Sequence, residues 1–405
     1  MSWTALGAAD LPDPRAFAPE ELNAILAAHT EWLDSEGHRG ARADLRRGLL
    51  RGLDLSRADL RRAWLREATL REANLQGARL AGADLTGADL THANLTGAAL
   101  RGADLRDADL AGTALRDADL QDADLRDVRG MTGGQIGGSD VAGAKLPDAI
   151  VKFEGLSNVQ ETSKGAQGLF TSILLLCGYT WLTVIATRDA QLFNRAAPIS
   201  SRLPILGTEI PLAQLYTVMP LLLLGFYLYF LLYLQRLWEE LTDLPAVFPD
   251  GRPLDRKAYP WLLNGLVCIY FSRLSDYRSP LAKWQARTSA GVAWGLVPTT
   301  LLLIWGRYLR SHNWWVTAIH VVIVGMAIGA GVGFYRLAVN TLRAGRPSRL
   351  IQPKRWGRLM MNTKAFTTAV ALVVSTVLFA LSAGAIHGVN SRLLKSGVSV
   401  TRDRK

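Results

Sequence analysis

Cysteine is almost absent from this sequence, and histidine is scarce. The 405 residues include two cysteines, Cys177 and Cys268, which lie far apart in apolar surroundings and form no CxxC pair. This argues against zinc, disulfide and redox roles. His312, His320 and His387 have no nearby acid or cysteine at a metal-ligand spacing. We therefore predict no metal site.

Catalytic motifs are missing as well. The sequence contains no Walker loop, no HExxH and no GxSxG. The glycine-rich stretch GMAIGAGVG, residues 325–333, lies inside an apolar run and follows no strand, so it does not predict a dinucleotide site. We expect no catalytic residues and no cofactor, and we predict that the protein is not an enzyme.

What the sequence does contain is a period of five residues. Leucine occupies every fifth position from Leu45 to Leu125, seventeen times without a break, and alanine stands two residues earlier in fourteen cases. The exceptions are Gly48, Leu53 and Thr113. A period of five fits neither the 3.6 of a helix nor the 2 of a strand, so the segment is a repeat array.

These residues resemble the pentapeptide-repeat family, whose pattern is A-(D/N)-L-x-x. The resemblance implies a right-handed quadrilateral β-helix in which four pentapeptides make one coil of twenty residues. Leucines twenty apart would then stack in a core ladder, and we name Leu65, Leu85, Leu105 and Leu125 as its members. After a one-residue slip, the period resumes in one degenerate coil at Met131, Ile136, Val141 and Leu146.

An open end of such a solenoid exposes apolar surface and unpaired backbone, so it needs a cap. The stretch PEELNAILAAHTEWLDSEG begins like a helix, with Pro19 followed by two acids. Its apolar residues fall on one helical face together with His29, which we interpret as facing the solenoid rather than binding a ligand. The face consists of Leu22, Ile25, Leu26, His29, Trp32 and Leu33.

The second half of the chain has the composition of a membrane protein. Five apolar segments reach the roughly 20 residues that cross a bilayer. They are residues 168–187, 210–234, 289–309, 315–337 and 365–387. The first, second and fifth have no central acid or base, which argues against an ion-coupled transporter but permits a pore. His320 could relay protons, although a hydrogen bond to a neighbouring helix is the interpretation that we favour.

The distribution of Lys and Arg predicts the orientation. Residues 236–288 carry eight and residues 338–364 carry seven, whereas residues 188–209 carry three and residues 310–314 carry one. We therefore expect the two basic loops and the solenoid to be cytoplasmic in a multi-pass protein of the bacterial inner membrane. Five basic residues in the tail argue mildly against an external C-terminus, so the span count stays between four and six.

The net charge of +11 is concentrated in loops that flank the apolar segments. Anionic membrane lipid is therefore the expected partner. Residues 43–80 hold nine Arg against five acids, and residues 81–127 hold four Arg against ten Asp. Fluoroquinolone-resistance members of the family resemble B-DNA in shape and negative charge, but here the charge is divided. Nucleic acid is therefore not an expected partner.

Gly325, Gly329 and Gly333 form a double GxxxG face on the fourth apolar segment. Small residues at this spacing let helices approach closely. The face predicts either a homo-oligomer or packing against another helix of the same chain, and the sequence does not separate the two.

These observations divide the chain into five parts. Residues 1–42 form an N-terminal cap, 43–148 the solenoid, 149–166 a linker, 167–390 a helical transmembrane domain and 391–405 a basic tail. The membrane part resembles that found behind pentapeptide repeats in a group of uncharacterised bacterial proteins, which implies architecture but no activity.

Two functions fit this organisation. We predict a non-enzymatic inner-membrane protein whose cytoplasmic solenoid binds an unknown protein partner or senses a signal. The alternative is an oligomeric pore-forming or membrane-disrupting effector, in antiviral defence, that is gated through the solenoid.

Overall fold

The computed structural model describes residues 13–151, 153–186, 200–202, 209–258, 266–267, 269, 274, 280–309, 314–344 and 367–383. The predicted tail at 391–405, most of the basic loop 338–364, Cys268, His312 and His387 lie outside these residues. The chain divides into two compact units. The first comprises Met1–Glu161, Trp238–Lys283 and Leu342–Arg346, and the second comprises Thr162–Leu237, Trp284–Thr341 and Pro347–Lys405.

The repeats of the first unit form stacked coils. Parallel bridges join residues twenty apart, as between Asp84 and Asp104 and between Asp104 and Asp124. Leucine amides donate to carbonyls of the next coil, as in the 2.8 Å bond from Leu85 N to Asp104 O. One turn of the chain therefore takes four pentapeptides, the number that the resemblance implied.

Leucine and alanine fill the interior because they are the two inward positions of each repeat. Leu85 and Ala88 are 0% exposed, and the other repeat positions of both kinds follow this pattern through most of the array. Thr113 takes an alanine position and is 1% exposed. Its Oγ1 donates to the Leu90 carbonyl oxygen at 2.8 Å, so its buried hydroxyl is satisfied.

Each corner of the solenoid is a β-turn that begins at the repeat leucine. Ala63 N donates to Leu60 O at 3.1 Å across one such turn. Arg62, its third residue, has a φ of 60°. A positive φ at the third position alone is the mark of a type II turn, which glycine occupies most easily. The equivalent position one coil later is Gly82, with a φ of 66°.

The one-residue insertion that shifts the five-residue period lies a few residues after Leu125, the last leucine of the unbroken period. Asp109 still pairs with Arg129, twenty residues on, whereas Asp119 pairs with Asp140, twenty-one residues on. The extra residue is therefore inserted between Arg129 and Asp140, next to a short 3₁₀ helix at Gly133–Ile136. Ile136 is fully buried, so the last coil keeps the leucine ladder in register.

The N-terminal end of the solenoid is covered by strand β1 (Arg15–Ala16) and helix α1 (Pro19–Asp34). Strand β1 pairs in parallel with β2 (Gly48–Leu49) in the first coil. Leu22 of helix α1 joins the solenoid core at 7% exposure. The helix thus covers the open end with the face that the sequence analysis expected.

The stretch predicted as a linker, residues 149–166, is mostly helical. Helix α2 spans Asp148–Val151, and helix α3 spans Glu154–Ala186. Val159 is 1% exposed and Ala166 is 0% exposed, so buried positions interrupt the polar sequence that suggested a linker. These buried small and apolar residues give the helix a packed side, which a free linker does not have.

The second unit is built from long apolar helices. Helices α3, α4 (Leu212–Thr242), α6 (Ala282–Tyr308) and α7 (Trp314–Ala344) each contain a stretch long and apolar enough to cross a membrane. Strands β3 (Ser200–Arg202) and β4 (Glu209–Pro211) form a short antiparallel pair, and helix α5 (Leu254–Lys257) belongs to the first unit. Helix α8 (Thr367–Ala383) overlaps the predicted fifth span but is shorter.

The glycine face of helix α7 is covered by helix α8 of the same chain. A Cβ atom built on Gly329 would lie 2.9 Å from the Ala371 Cβ and 2.9 Å from the Thr367 carbonyl oxygen. Gly325 faces Ser375, and Gly333 faces Thr367, and a Cβ atom at either glycine would approach these side chains more closely still. Of the two interpretations left open above, the structure therefore has the intrachain contact. A pore that depends on this face for self-association loses its support.

Candidate interaction surfaces of the solenoid

One side of the solenoid carries paired charges. We call it the aspartate face, after Asp44, Asp84, Asp104 and Asp124, which occupy equivalent positions in successive coils except that Trp64 stands between Asp44 and Asp84. Asp104 receives three hydrogen bonds from the Arg106 side chain, at 2.8, 3.1 and 2.6 Å. Equivalent arginines lie beside Asp44 and Asp124.

The pairing has an electrostatic consequence. Hydrogen bonds from Arg126, followed by those from Lys145, lower the pKa of Asp124 to about 2. The carboxylate therefore stays ionised, but its charge is compensated by neighbours on the same face. Such a surface does not present the uniform negative field that imitates a nucleic-acid backbone.

A second side carries a ladder of one carboxylate and two amides, which we call the amide face (Asp54, Asn74 and Asn94). Asn74 Nδ2 donates to Asp54 Oδ1 at 2.9 Å, and Asn94 Nδ2 donates to Asn74 Oδ1 at 3.2 Å. Gln76 projects from the same face and is exposed. The two amides are oriented by their bonds to Asp54 and to each other, so this face offers ordered donors and acceptors and carries one negative charge among these three residues.

His29 fastens the N-terminal cap to the solenoid. It is 0% exposed. The Ala43 backbone N–H donates to Nδ1 at 3.1 Å, and Nε2 lies 3.1 Å from the Arg61 carbonyl oxygen. Because Nδ1 accepts, the ring proton is on Nε2, and the neutral imidazole satisfies two backbone groups. The histidine is thus a structural residue of the cap.

The cap is expected to loosen at acid pH. Burial lowers the pKa of His29 from its ordinary value of 6.5, while the bond to the Arg61 carbonyl opposes this. Since the unfolded state then binds more protons, stability is complete above pH 6.5 and falls as the pH drops below it. The measurement is the exchange protection of the Ala43 amide between pH 7.5 and 5, corrected for the intrinsic rate. The variant His29→Gln should show no such fall, and an equal fall in both proteins would contradict the assignment.

The C-terminal end of the solenoid is covered by a segment from much later in the chain. We call residues 244–253 the docking segment. Val247 forms a parallel bridge with Asp140, and it pairs in the antiparallel sense with Pro253. Backbone bonds join the segment to the last coil: Gly138 N to Leu244 O (2.9 Å), Ala246 N to Ser139 O (2.8 Å), Val141 N to Val247 O (3.1 Å) and Gly143 N to Pro249 O (2.9 Å).

The docking segment takes the place of a further coil. Within the repeats, Leu120 and Asp122 donate their amides to Asp140 and Ala142 of the following coil. Val141 and its second neighbour Gly143 use the same pattern toward the docking segment. The unpaired edge of the solenoid is therefore satisfied by backbone from outside the repeats.

Apolar contacts reinforce this attachment. Val247 and Phe248 are 0% exposed. The Phe248 ring meets the edge of Phe153, with centroids 5.0 Å apart. Lys257 Nζ lies 4.4 Å from the centroid of the Phe248 ring and 2.8 Å from Asp250 Oδ2. The buried side chains anchor the segment, while the charged ones close its outer side.

Arg116 connects the solenoid to the end of helix α4. Its Nη1 donates to the Thr242 carbonyl oxygen at 3.3 Å, and Thr242 is the last residue of the helix. A cation at this end satisfies a carbonyl that has no partner within the helix and interacts favourably with the helix dipole. Burial lowers the pKa of Arg116, and the carboxylates of Asp117 and Asp243 oppose this shift.

The residues predicted for a site lie in two separate places. The ladder members are all 0% exposed, in the solenoid core, and they hold the coils together rather than touch a partner: Leu65, Leu85, Leu105 and Leu125. The glycine face of helix α7 contacts helix α8. Among the residues that the structure describes, no three His, Cys, Asp or Glu side chains are grouped to hold a metal ion.

Sequence reasoning missed the docking segment. Its signal was present as the apolar letters LPAVFP in a basic loop, but nothing in them indicates which edge they cover.

A model of pentapeptide repeats matches the chain in overlapping stretches at residues 41–75, 54–91, 63–102 and 93–129. The matched residues coincide with the coils described above. The chain belongs to the pentapeptide-repeat family. Its repeats therefore take the right-handed β-helix of that family.

Several solved pentapeptide-repeat structures are similar to this member. One is a protein from the thylakoid lumen of Arabidopsis thaliana, which is 31% identical to this chain. The match covers 26% of this chain and 77% of the Arabidopsis chain, with a TM-score of 0.21. One from Nostoc PCC 7120 is 31% identical over 28% of this chain and 84% of its own, with a TM-score of 0.15. A plasmid-mediated fluoroquinolone resistance protein is 24% identical over 28% of this chain and 61% of its own, at 0.15. No curated protein matches the chain.

Proposed function

We propose that this pentapeptide-repeat protein is a non-enzymatic, multi-pass protein of the bacterial inner membrane whose cytoplasmic solenoid binds a protein partner or senses a signal. The observation that carries the proposal is the backbone ladder between the last coil and the docking segment. That segment follows helix α4 directly, and helix α4 contains one of the four stretches with the length and composition of a membrane span. The ladder thus closes the last coil of the solenoid with backbone from the stretch that follows this helix.

The amide face is the surface that we propose for the protein partner. Its donors and acceptors are already oriented by the bonds among Asp54, Asn74 and Asn94, so a partner would lose little free energy in ordering them. The aspartate face is less suitable, because its charges are already paired within the face.

The charge of the loops and of the solenoid bears on lipid and nucleic acid as partners. The basic loops suit anionic lipid headgroups. The divided charge of the solenoid does not favour nucleic acid. A homo-oligomer stays a prediction, and its contact would have to lie away from the glycine face, which helix α8 occupies.

The side of the membrane is testable by cysteine labelling. In a protein whose Cys177 and Cys268 are replaced by alanine, single cysteines are introduced as Gln76→Cys, Arg256→Cys and Ser200→Cys. We expect an impermeant maleimide to label position 200 in intact spheroplasts, and positions 76 and 256 only after permeabilisation. Labelling of position 76 from outside would contradict a cytoplasmic solenoid.

The same positions test partner binding. A photo-cross-linking residue at position 76 should give one discrete adduct in cells, because that position lies on the amide face. The matched control is Arg126, which is exposed on the aspartate face and already bonded to Asp124. Equal adducts from both positions would show that the solenoid has no preferred face.

A further inference from the structure

Two of the apolar helices of the second unit contain an internal proline. Pro220 lies inside helix α4, and Pro298 lies inside helix α6. Proline has no backbone N–H, so the carbonyl four residues earlier loses its helical donor. The carbonyls concerned belong to Tyr216 and Trp294. In apolar surroundings without water, an unpaired carbonyl is costly and must find another donor.

Both carbonyls receive that donor from a side chain of a neighbouring helix. His320 Nε2 on helix α7 lies 2.7 Å from the Tyr216 carbonyl oxygen. The Tyr227 hydroxyl on helix α4 donates to the Trp294 carbonyl oxygen at 2.7 Å. His320 is 2% exposed and Tyr227 is 0% exposed, so water does not compete for either bond. A carbonyl can only accept, so the His320 proton is on Nε2.

The surrounding side chains fit these two bonds closely. The ring of Tyr308 packs edge-on against His320, with centroids 5.0 Å apart. At the other bond, helix α7 presents a glycine: a Cβ atom on Gly331 would lie 2.6 Å from the Tyr227 hydroxyl oxygen. Helix α7 therefore donates to helix α4 at the first proline, and helix α4 donates to helix α6 at the second.

We propose that Pro220 and Pro298 are two hinges of the helical bundle, and that His320 and Tyr227 are the locks that hold them. A proline removes one hydrogen bond and lets a helix bend at that point. Each lock replaces the missing bond with one from a different helix, so bending at the hinge requires the lock to open. His320 is in this view a positioning residue of helix α4, and its place in the fold requires no proton relay.

The proposal predicts a specific pattern of rescue. In the full-length protein in detergent, His320→Phe and Tyr227→Phe should each lower the melting temperature by several degrees. Pro220→Ala restores an N–H to the Tyr216 carbonyl, so it should recover at least half of the loss caused by His320→Phe. Pro298→Ala should do the same for Tyr227→Phe. The exchanged pairs, His320→Phe with Pro298→Ala and Tyr227→Phe with Pro220→Ala, are the matched controls and should show no recovery.

Hydrogen exchange tests the hinge itself. The amides of residues 216–219 and 221–224 should exchange at least tenfold faster in His320→Phe, and Pro220→Ala should reverse this. Rescue that is equal in matched and exchanged pairs, or exchange that is unchanged at 216–224, would overturn the proposal, because the side chains would then be ordinary packing. If His320→Phe alone does not fold, the folded yields of its two double variants with Pro220→Ala and Pro298→Ala are compared. Equal yields would contradict the lock.

Discussion

Replacing Leu85 with aspartate is expected to unfold the middle of the solenoid. The side chain is 0% exposed and lies in the ladder between Leu65 and Leu105. The substitution removes a buried leucine and leaves an unpaired carboxylate in its place, which together should cost about 4 kcal/mol or more. The coils on both sides pack against Leu85 and would lose part of their core, so the loss of structure should spread beyond one repeat.

Hydrogen exchange of the full-length protein measures this effect. The amides that bond between coils, such as that of Leu85 to Asp104 O, should lose protection throughout the neighbouring repeats. The matched control is Gln76→Asp, which places the same charge at an exposed position of the array. We expect wild-type protection in that control. Equal protection in Leu85→Asp and Gln76→Asp would show that the five-residue ladder is not the core.

Replacing Val247 with aspartate is expected to open the C-terminal end of the solenoid while leaving its middle intact. Val247 is 0% exposed, and its carbonyl accepts the Val141 amide. An unpaired buried charge there should cost about 3 kcal/mol, which corresponds to roughly 100-fold faster local exchange. The amides affected should be those of Gly138, Val141 and Gly143.

Two variants separate the effect of the buried charge from the effects of added surface charge and of lost apolar contact. Arg256→Asp introduces the same charge at an exposed position soon after the docking segment, and it should leave the three amides protected. Val247→Ala removes apolar contact without adding charge, and it should give an intermediate effect. Unchanged exchange at Val141 in Val247→Asp would mean that the docking segment does not cap the last coil in solution. The same bonds predict that a fragment ending at residue 150 would leave this edge unpaired.

The period of five identified the repeat array and its inward positions, and the resemblance to the pentapeptide-repeat family implied the coil of twenty residues. Each repeat bonds to the copy twenty residues later, so one local rule, applied again and again, fixes the turn, the inward positions of Leu85 and Ala88 and the stacking. The capping helix could also be predicted from the sequence, because a helix with an apolar face next to the open end of a solenoid has one obvious surface to cover. The apolar helices followed from composition and length alone.

Other features were decided only by contacts between distant parts of the chain. The slip was visible as a broken period, but its place between Arg129 and Asp140 depends on which carbonyl each amide finds. The glycine face of helix α7 was compatible with a second subunit until Ala371 was found against Gly329. The 149–166 stretch had a polar composition, and only the burial of Val159 and Ala166 made it a packed helix.

The docking segment and the two locks show most directly why such features cannot be predicted from the sequence. Val141 bonds to Val247, more than one hundred residues later, and His320 bonds to the Tyr216 carbonyl, to which Pro220 cannot donate, on another helix. An unpaired carbonyl or an open sheet edge can be read from the sequence, because proline and the end of a repeat are local features. The group that pairs with such a carbonyl or edge cannot be predicted from the sequence, because any hydrogen-bonding group at the right distance suffices. Only the packing of the chain brings that group into place.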